Sequence, residues 1–177
     1  MTAPALIALA HGSRDRRTAE TVQALVAQVR ELRPDLRIET AFLELSRPAF
    51  GKVVDKLVRA GFEEIVVVPL LLTEAHHAKV DVPAAIAQAT ARHDNLQIRA
   101  SKVLGLESEF LEVLDNRLRE ALSSARVREL DALVLAAAGS SEPLANQDVA
   151  RLARVWDARH KLPVIEASAS ASPPETG

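Results

Sequence analysis

Ala5-Leu-Ile-Ala-Leu-Ala-His-Gly-Ser-Arg14 joins an apolar run to a polar turn. Its first six residues are apolar without a polar face, the composition of a strand covered on both sides of a parallel sheet. His11-Gly12-Ser13 breaks the run, and residues 18–32 then set Val22, Leu25, Val26, Val29 and Leu32 at helical spacing before Pro34 closes the helix. The passage recurs: Ala132-Leu-Val-Leu-Ala-Ala-Ala-Gly-Ser-Ser141 matches it at an offset of 127, which is 138 minus 11. Residues 132–170 thus read as a gapless second copy of residues 5–43. Gly12 and Ser13 survive as Gly139 and Ser140, and Ile38-Glu39 falls on Ile165-Glu166. His11, however, falls on Ala138 and Glu44 on Ala171. A repeat that keeps its backbone residues while losing an imidazole and a carboxylate marks those two side chains as chemistry rather than scaffold.

Further strand-length apolar runs appear at 36–43, 65–72 and 132–137, with a weaker one at 96–104. Amphipathic stretches separate them. Pro48 precedes Phe50, Val53, Val54, Leu57 and Val58 in a helix that ends near Gly61. Asp81-Val-Pro83 opens a third helix reaching Arg92, and a fourth covers 107–122. Apolar strands alternating with helices predict a doubly wound α/β fold, its mostly parallel sheet carrying helices on both faces. The polar stretch 123–129 separates the two copies. The expected organisation is a complete domain over 1–125 and a partial, degenerate strand-helix-strand repeat over 126–177, with a poorly ordered Ala-, Ser- and Pro-rich tail from 167.

Composition narrows the chemistry. The 177 residues carry 22 basic and 24 acidic side chains, so no global field recruits nucleic acid or an anionic membrane. There is no cysteine, which excludes disulfides, iron-sulfur clusters and thiol nucleophiles and leaves His, Asp and Glu to hold any metal. Met1-Thr-Ala-Pro lacks a basic leader, and no run approaches the ~20 apolar residues of a membrane span, so the expected compartment is the cytoplasm.

The chemistry-bearing residues stand at three consecutive strand ends. His11 follows the first strand, Glu44 the second, and His76-His77 the third. Open parallel sheets bind ligands outside the carboxyl ends of their strands, where the strand order reverses, and an order 2-1-3 would bring all three to one crevice. Two imidazoles and a carboxylate suit a borderline divalent ion and leave coordination positions open. Gly12-Ser13-Arg14 adds donors at a helix N-terminus, where Ser13 or Asp15 also serves as a cap. His93 falls in a surface turn and His160 at a helix end, both structural positions.

His-Gly-Ser-Arg after the first strand, Ala41-Phe-Leu-Glu44 ending the second, and Val67-Val-Pro-Leu-Leu-Leu72 followed by His77 and Asp81-Val-Pro83 resemble the sirohydrochlorin chelatases, the class II cobalto- and ferrochelatases of cobalamin and sirohaem synthesis. The resemblance covers residues 5–122 with motif order and spacing intact. It implies insertion of Co²⁺ or Fe²⁺, in some members Ni²⁺, into a sirohydrochlorin-type tetrapyrrole, with the metal as substrate and no organic cofactor. It also implies metal handling and catalysis at His11, His77 and the acidic Glu44, with His76 secondary. Ser13, Arg14, Arg47 and Lys79, with Arg17, would meet the carboxylates of the macrocycle rim. Ala75 stands where the family carries glycine, and the second copy stops after its second strand. A strand-helix-strand unit with no third strand would pack on the first domain or on another subunit, and we expect a homodimer covering its apolar surface, a second copy that holds no metal, and neither nucleic acid nor membrane as partner. Two other readings stay open on the residues. One is a non-catalytic metal or tetrapyrrole carrier. The other is a histidine phosphatase, which would need an arginine where Ala10 stands.

Overall fold

The computed structural model describes residues 3–73 and 77–170, with the side chains of His77 and Ser108 outside that description. Ala75, His76 and the tail from Ala171 lie outside it too. The chain divides into two compact units, Met1–Gly105 and Leu106–Gly177.

In the first unit, β1 (Ala5–Ala10), α1 (Arg16–Leu32), β2 (Ile38–Phe42), α2 (Phe50–Arg59), β3 (Glu64–Pro69), α3 (Val82–Thr90) and β4 (Gln97–Ala100) follow in order. The four strands form one parallel sheet in the order β2-β1-β3-β4, so the reversal expected beside β1 is present. Alternation along the strands decides what covers each face. Ile7 and Leu9 of β1, with Ala41, Ile65 and Val67, lie under Phe50, Val53, Val54 and Leu57 of α2 and Val82 and Ala89 of α3. Ala8 and Ile38 lie on the opposite face with Val26 of α1. Helices on both faces explain why β1 has no polar side, and full burial of a residue such as Leu9 stabilises the fold by roughly 1.5–3 kcal/mol. The third strand stops at Pro69, short of the expected 72; past it the Leu70 amide still donates to the Leu9 carbonyl, and the Leu71 carbonyl accepts from the Gly105 amide. Before α3 the backbone makes a π-helical turn, His77–Asp81, that periodicity did not reveal.

The second unit holds α4 (Ser108–Ala125), β5 (Leu133–Ala137), α5 (Pro143–His160) and β6 (Val164–Ser168), with β5 and β6 parallel. The division therefore falls ahead of α4 and differs from the boundary at 125 read from the polar stretch. Leu111, Leu114 and Leu118 of α4 share a core with Leu152 and Trp156 of α5 and with Leu133, Leu135 and Val164 of the strands. At its centre the buried Asp115 carboxylate accepts from Trp156 Nε1 at 2.7 Å, lies 2.6 Å from His160 Nε2 and pairs with Arg159 at 3.2 Å. Burial pushes the Asp115 carboxyl up, but the Trp156 and His160 hydrogen bonds and the Arg159 charge outweigh it and hold the group below the usual carboxylate range.

Strand register corrects the repeat. Leu6 pairs with Ile38 in the first copy and Leu133 with Val164 in the second. Position 133 lies 127 beyond 6, whereas 164 lies 126 beyond 38, so the copies are not gapless. The cause is local: α5 has 18 residues against 17 in α1, but only residues 161–163 connect it to its strand where residues 33–37 do so in the first copy. Glu39 is thus equivalent to Ile165 rather than Glu166, and Glu44 to Ser170 rather than Ala171.

Candidate active site

Parallel pairing of β1 and β2 builds the site by continuing past both strands. The Leu43 amide donates to the Ala10 carbonyl and the Glu44 amide to the His11 carbonyl, each at 3.0 Å. The two loops thereby leave the sheet side by side. Gly12, at φ 101°, lets them close, because a Cβ there would lie 1.8 Å from the Glu44 carbonyl oxygen. Beyond Glu44 the chain reverses in a tight turn in which the Ser46 amide donates to the Glu44 carbonyl and Leu45 takes a φ of 57°. A left-handed leucine is costly backbone, the kind retained where surrounding contacts over-determine a functional loop.

His11 Nε2 lies 3.0 Å from Glu44 Oε1, with the imidazole one-third exposed and the carboxylate just over half exposed. This pair unites a nitrogen and an oxygen donor at the carboxyl end of the sheet, within reach of solvent. Of the third expected member, the backbone of His77 opens the π-helical turn after β3. Among the described residues no group of three or more His, Asp or Glu side chains is gathered for a metal.

The expected anion-binding residues fall into two sets. Arg14 and Arg47 are exposed on the two loops, three residues beyond His11 and Glu44 respectively, and Lys79 is exposed on the π-helical turn. Arg17, by contrast, is committed to Asp15 at 2.6 Å, which lowers the Asp15 carboxyl below its ordinary range. Several helix-opening donors are also engaged. The Ser13 amide donates to Ser46 Oγ, the Asp15 amide to Ser13 Oγ, and the Arg17 amide to Asp15 Oδ1. Asp15 is the helix cap, so capping accounts for much of this turn's donor capacity. Leu45, Leu72, Val80 and Leu104 add exposed apolar surface on segments that follow the strands' carboxyl ends.

Ser46 is a residue the sequence reading missed. Its hydroxyl accepts from the Ser13 amide at 3.0 Å and donates to the Ser13 carbonyl at 2.9 Å. Its place just before Arg47-Pro48 marks a turn, but nothing in the sequence names a partner 33 residues away. The remaining histidines are structural as expected: His93 Nε2 lies 3.0 Å from Asp55 Oδ1, and His160 meets Asp115.

In the second copy the backbone persists without the chemistry. Gly139 keeps a φ of 85°, with a Cβ there 1.9 Å from the Ser170 carbonyl oxygen, and Ser140 Oγ accepts from the Glu142 amide as Ser13 Oγ does from Asp15. Ala138 and Ser170 stand in the places of His11 and Glu44.

Comparison with known proteins identifies the family. The chain is 29% identical over 159 residues to a sirohydrochlorin cobaltochelatase of Priestia megaterium, covering 89% of this chain and 52% of that one. It is 30% identical over 165 residues to a sirohydrochlorin ferrochelatase of Bacillus subtilis, covering 92% of this chain and 60% of that one. The chain therefore spans between half and two thirds of the length of these relatives. Among solved structures, SirB from Bacillus subtilis with Fe³⁺ superposes with a TM-score of 0.82 at 28% identity, over 97% of this chain and 68% of that one. A CbiX protein from Marinobacter aquaeolei VT8 gives 0.60 at 31% identity, over 70% of this chain and 98% of that one. The CbiX family model matches residues 5–121, the stretch that contains β1 through most of α4 together with His11, Glu44 and His77, and the chain belongs to that family.

Proposed function

We propose that this chain is a sirohydrochlorin chelatase that inserts a divalent metal, Co²⁺ or Fe²⁺ with Ni²⁺ as a further candidate, into a sirohydrochlorin-type tetrapyrrole. The 3.0 Å His11–Glu44 pair at the mouth of a CbiX-family sheet carries this reading. Insertion exchanges two pyrrole N–H protons for one divalent ion and releases two protons. A neutral imidazole and a carboxylate suit both halves of that exchange, holding the ion and then accepting protons. His77 would complete the set from the turn after β3. Leu45, Leu72, Val80 and Leu104 would bear the macrocycle face, while Arg14, Arg47, Lys79 and the Ser13 hydroxyl meet its rim carboxylates. No organic cofactor enters this scheme, and neither nucleic acid nor membrane takes part.

The test is anaerobic incubation with sirohydrochlorin and Co²⁺ or Fe²⁺, following the macrocycle absorption. Turnover is expected from the wild type, and a loss of at least about a hundredfold from His11→Ala, since the side chain is both ligand and proton acceptor. Stoichiometric binding without turnover would point to a carrier, and full activity of His11→Ala would remove the site assignment.

A cytoplasmic homodimer accompanies this reading. Val134 and Ile165, 63% and 57% exposed, face the same way on β5 and β6 as the buried Ile7 on β1. A second chain over this apolar face would double the mass found by sedimentation. Val134→Lys should then give a monomer, and a monomeric wild type would end the proposal.

A further inference from the structure

The turn that carries His11 and its counterpart in the second copy are fastened by different side chains. In both, the serine after the left-handed glycine has its amide and its carbonyl bound by one side chain. For Ser140 that side chain is Asn146, whose Oδ1 accepts from the Ser140 amide at 2.9 Å and whose Nδ2 donates to the Ser140 carbonyl at 2.7 Å. Asn146 is six residues away in the helix the turn leads into, so the clamp is local. For Ser13 the same two groups are bound by Ser46, 33 residues away and two beyond Glu44. In the first copy this clamp runs between the His11 loop and the Glu44 loop; in the second it stays within one turn, and among the described residues the two loops are tied there by the Ser170 hydroxyl, which donates to the Ala138 carbonyl at 3.0 Å.

We infer that Ser46 is a positioning residue for metal handling, tethering the two loops so that His11 Nε2 and Glu44 Oε1 stay within reach of one ion. Backbone pairing alone aligns Glu44 with His11 only as far as the Glu44 amide. Past that bond the chain turns through left-handed Leu45, and the Ser46 hydroxyl holds the far side of this strained turn against Ser13. Without it the Glu44 side chain would sample a wider range, and a donor pair that is not preorganised binds its ion more weakly.

The inference rests on the chelatase reading, and Co²⁺ alone is the probe that separates the two. Anaerobic Co²⁺ titration would compare the full-length wild type with Ser46→Thr, Ser46→Val, Asn146→Ala and His11→Ala, each with a far-UV spectrum and a melting curve. Thr and Val match in shape and differ in the hydroxyl. Ser46→Val is expected to weaken Co²⁺ binding roughly tenfold, the lower end for residues that orient metal ligands. Ser46→Thr should restore most of it, and Asn146→Ala should bind Co²⁺ as the wild type does. Equal affinity of the Thr and Val variants, loss of affinity in Asn146→Ala, or failure of Ser46→Val to fold while Ser46→Thr folds with wild-type stability would each overturn the positioning role. An unchanged affinity in His11→Ala would instead sink the site assignment beneath it.

Discussion

A methyl group on Gly12 would lie 1.8 Å from the Glu44 carbonyl oxygen, and the glycine's φ of 101° is one that side chains resist. Gly12→Ala must therefore push the two loops apart as well as strain its own backbone, at a cost of at least about 2 kcal/mol. Gly139 meets the Ser170 carbonyl in the same way, so Gly139→Ala should lower the melting temperature comparably. Only Gly12→Ala should also lose Co²⁺ affinity, and titration of both variants beside their melting curves checks this. Equal losses of affinity would mean that the second copy takes part in binding. At this scale the sequence was informative where the repeat had lost a side chain: His11 over Ala138 stood out because glycine and serine beside it were kept. Ser46 stayed hidden because its role comes from a bond across 33 residues, which no local spacing encodes.

Between elements, hydrophobic period fixed identity better than allegiance. Residues 107–122 read as an amphipathic helix, and α4 forms at Ser108–Ala125, but an apolar stripe does not say which core it will cover. Leu111, Leu114 and Leu118 join Leu152 and Trp156, and Asp115 anchors the contact with its bonds to Trp156, Arg159 and His160. Removing that carboxylate leaves a buried indole N–H unpaired, so Asp115→Ala should destabilise the second unit by about 2–3 kcal/mol. The pH dependence follows from a folded-state pKa that is depressed. The contribution is complete above the unfolded carboxylate value of about 3.9 and is lost as pH falls through the lower folded value. Urea unfolding from pH 6 down to pH 3 should show the wild type losing an increment that Asp115→Asn lacks; parallel profiles would mean the carboxylate is not the anchor. The one-residue slip between the copies was illegible for a related reason. It lies in the helix-to-strand connections, where Ile38-Glu39 happens to match Ile165-Glu166 in letters while pairing places Val164 opposite Leu133.

For the molecule as a whole, apolar strands separated by helices were enough to read a doubly wound sheet, because covering both faces leaves a strand no polar side. The order β2-β1-β3-β4 then brings the His11 and Glu44 loops together and starts the His77 turn from the adjacent strand. The second unit repeats the strand-turn-helix backbone with Ala138 and Ser170 where the donors would be. One working centre beside one emptied copy should be visible in anomalous X-ray scattering from crystals of the full chain grown or soaked with Co²⁺ without oxygen. A single cobalt at ligand distance from His11 Nε2 and a Glu44 oxygen, with no peak beside Gly139, is the expected result. Cobalt bound beside Gly139, or bound in the first unit away from both His11 and Glu44, would contradict it.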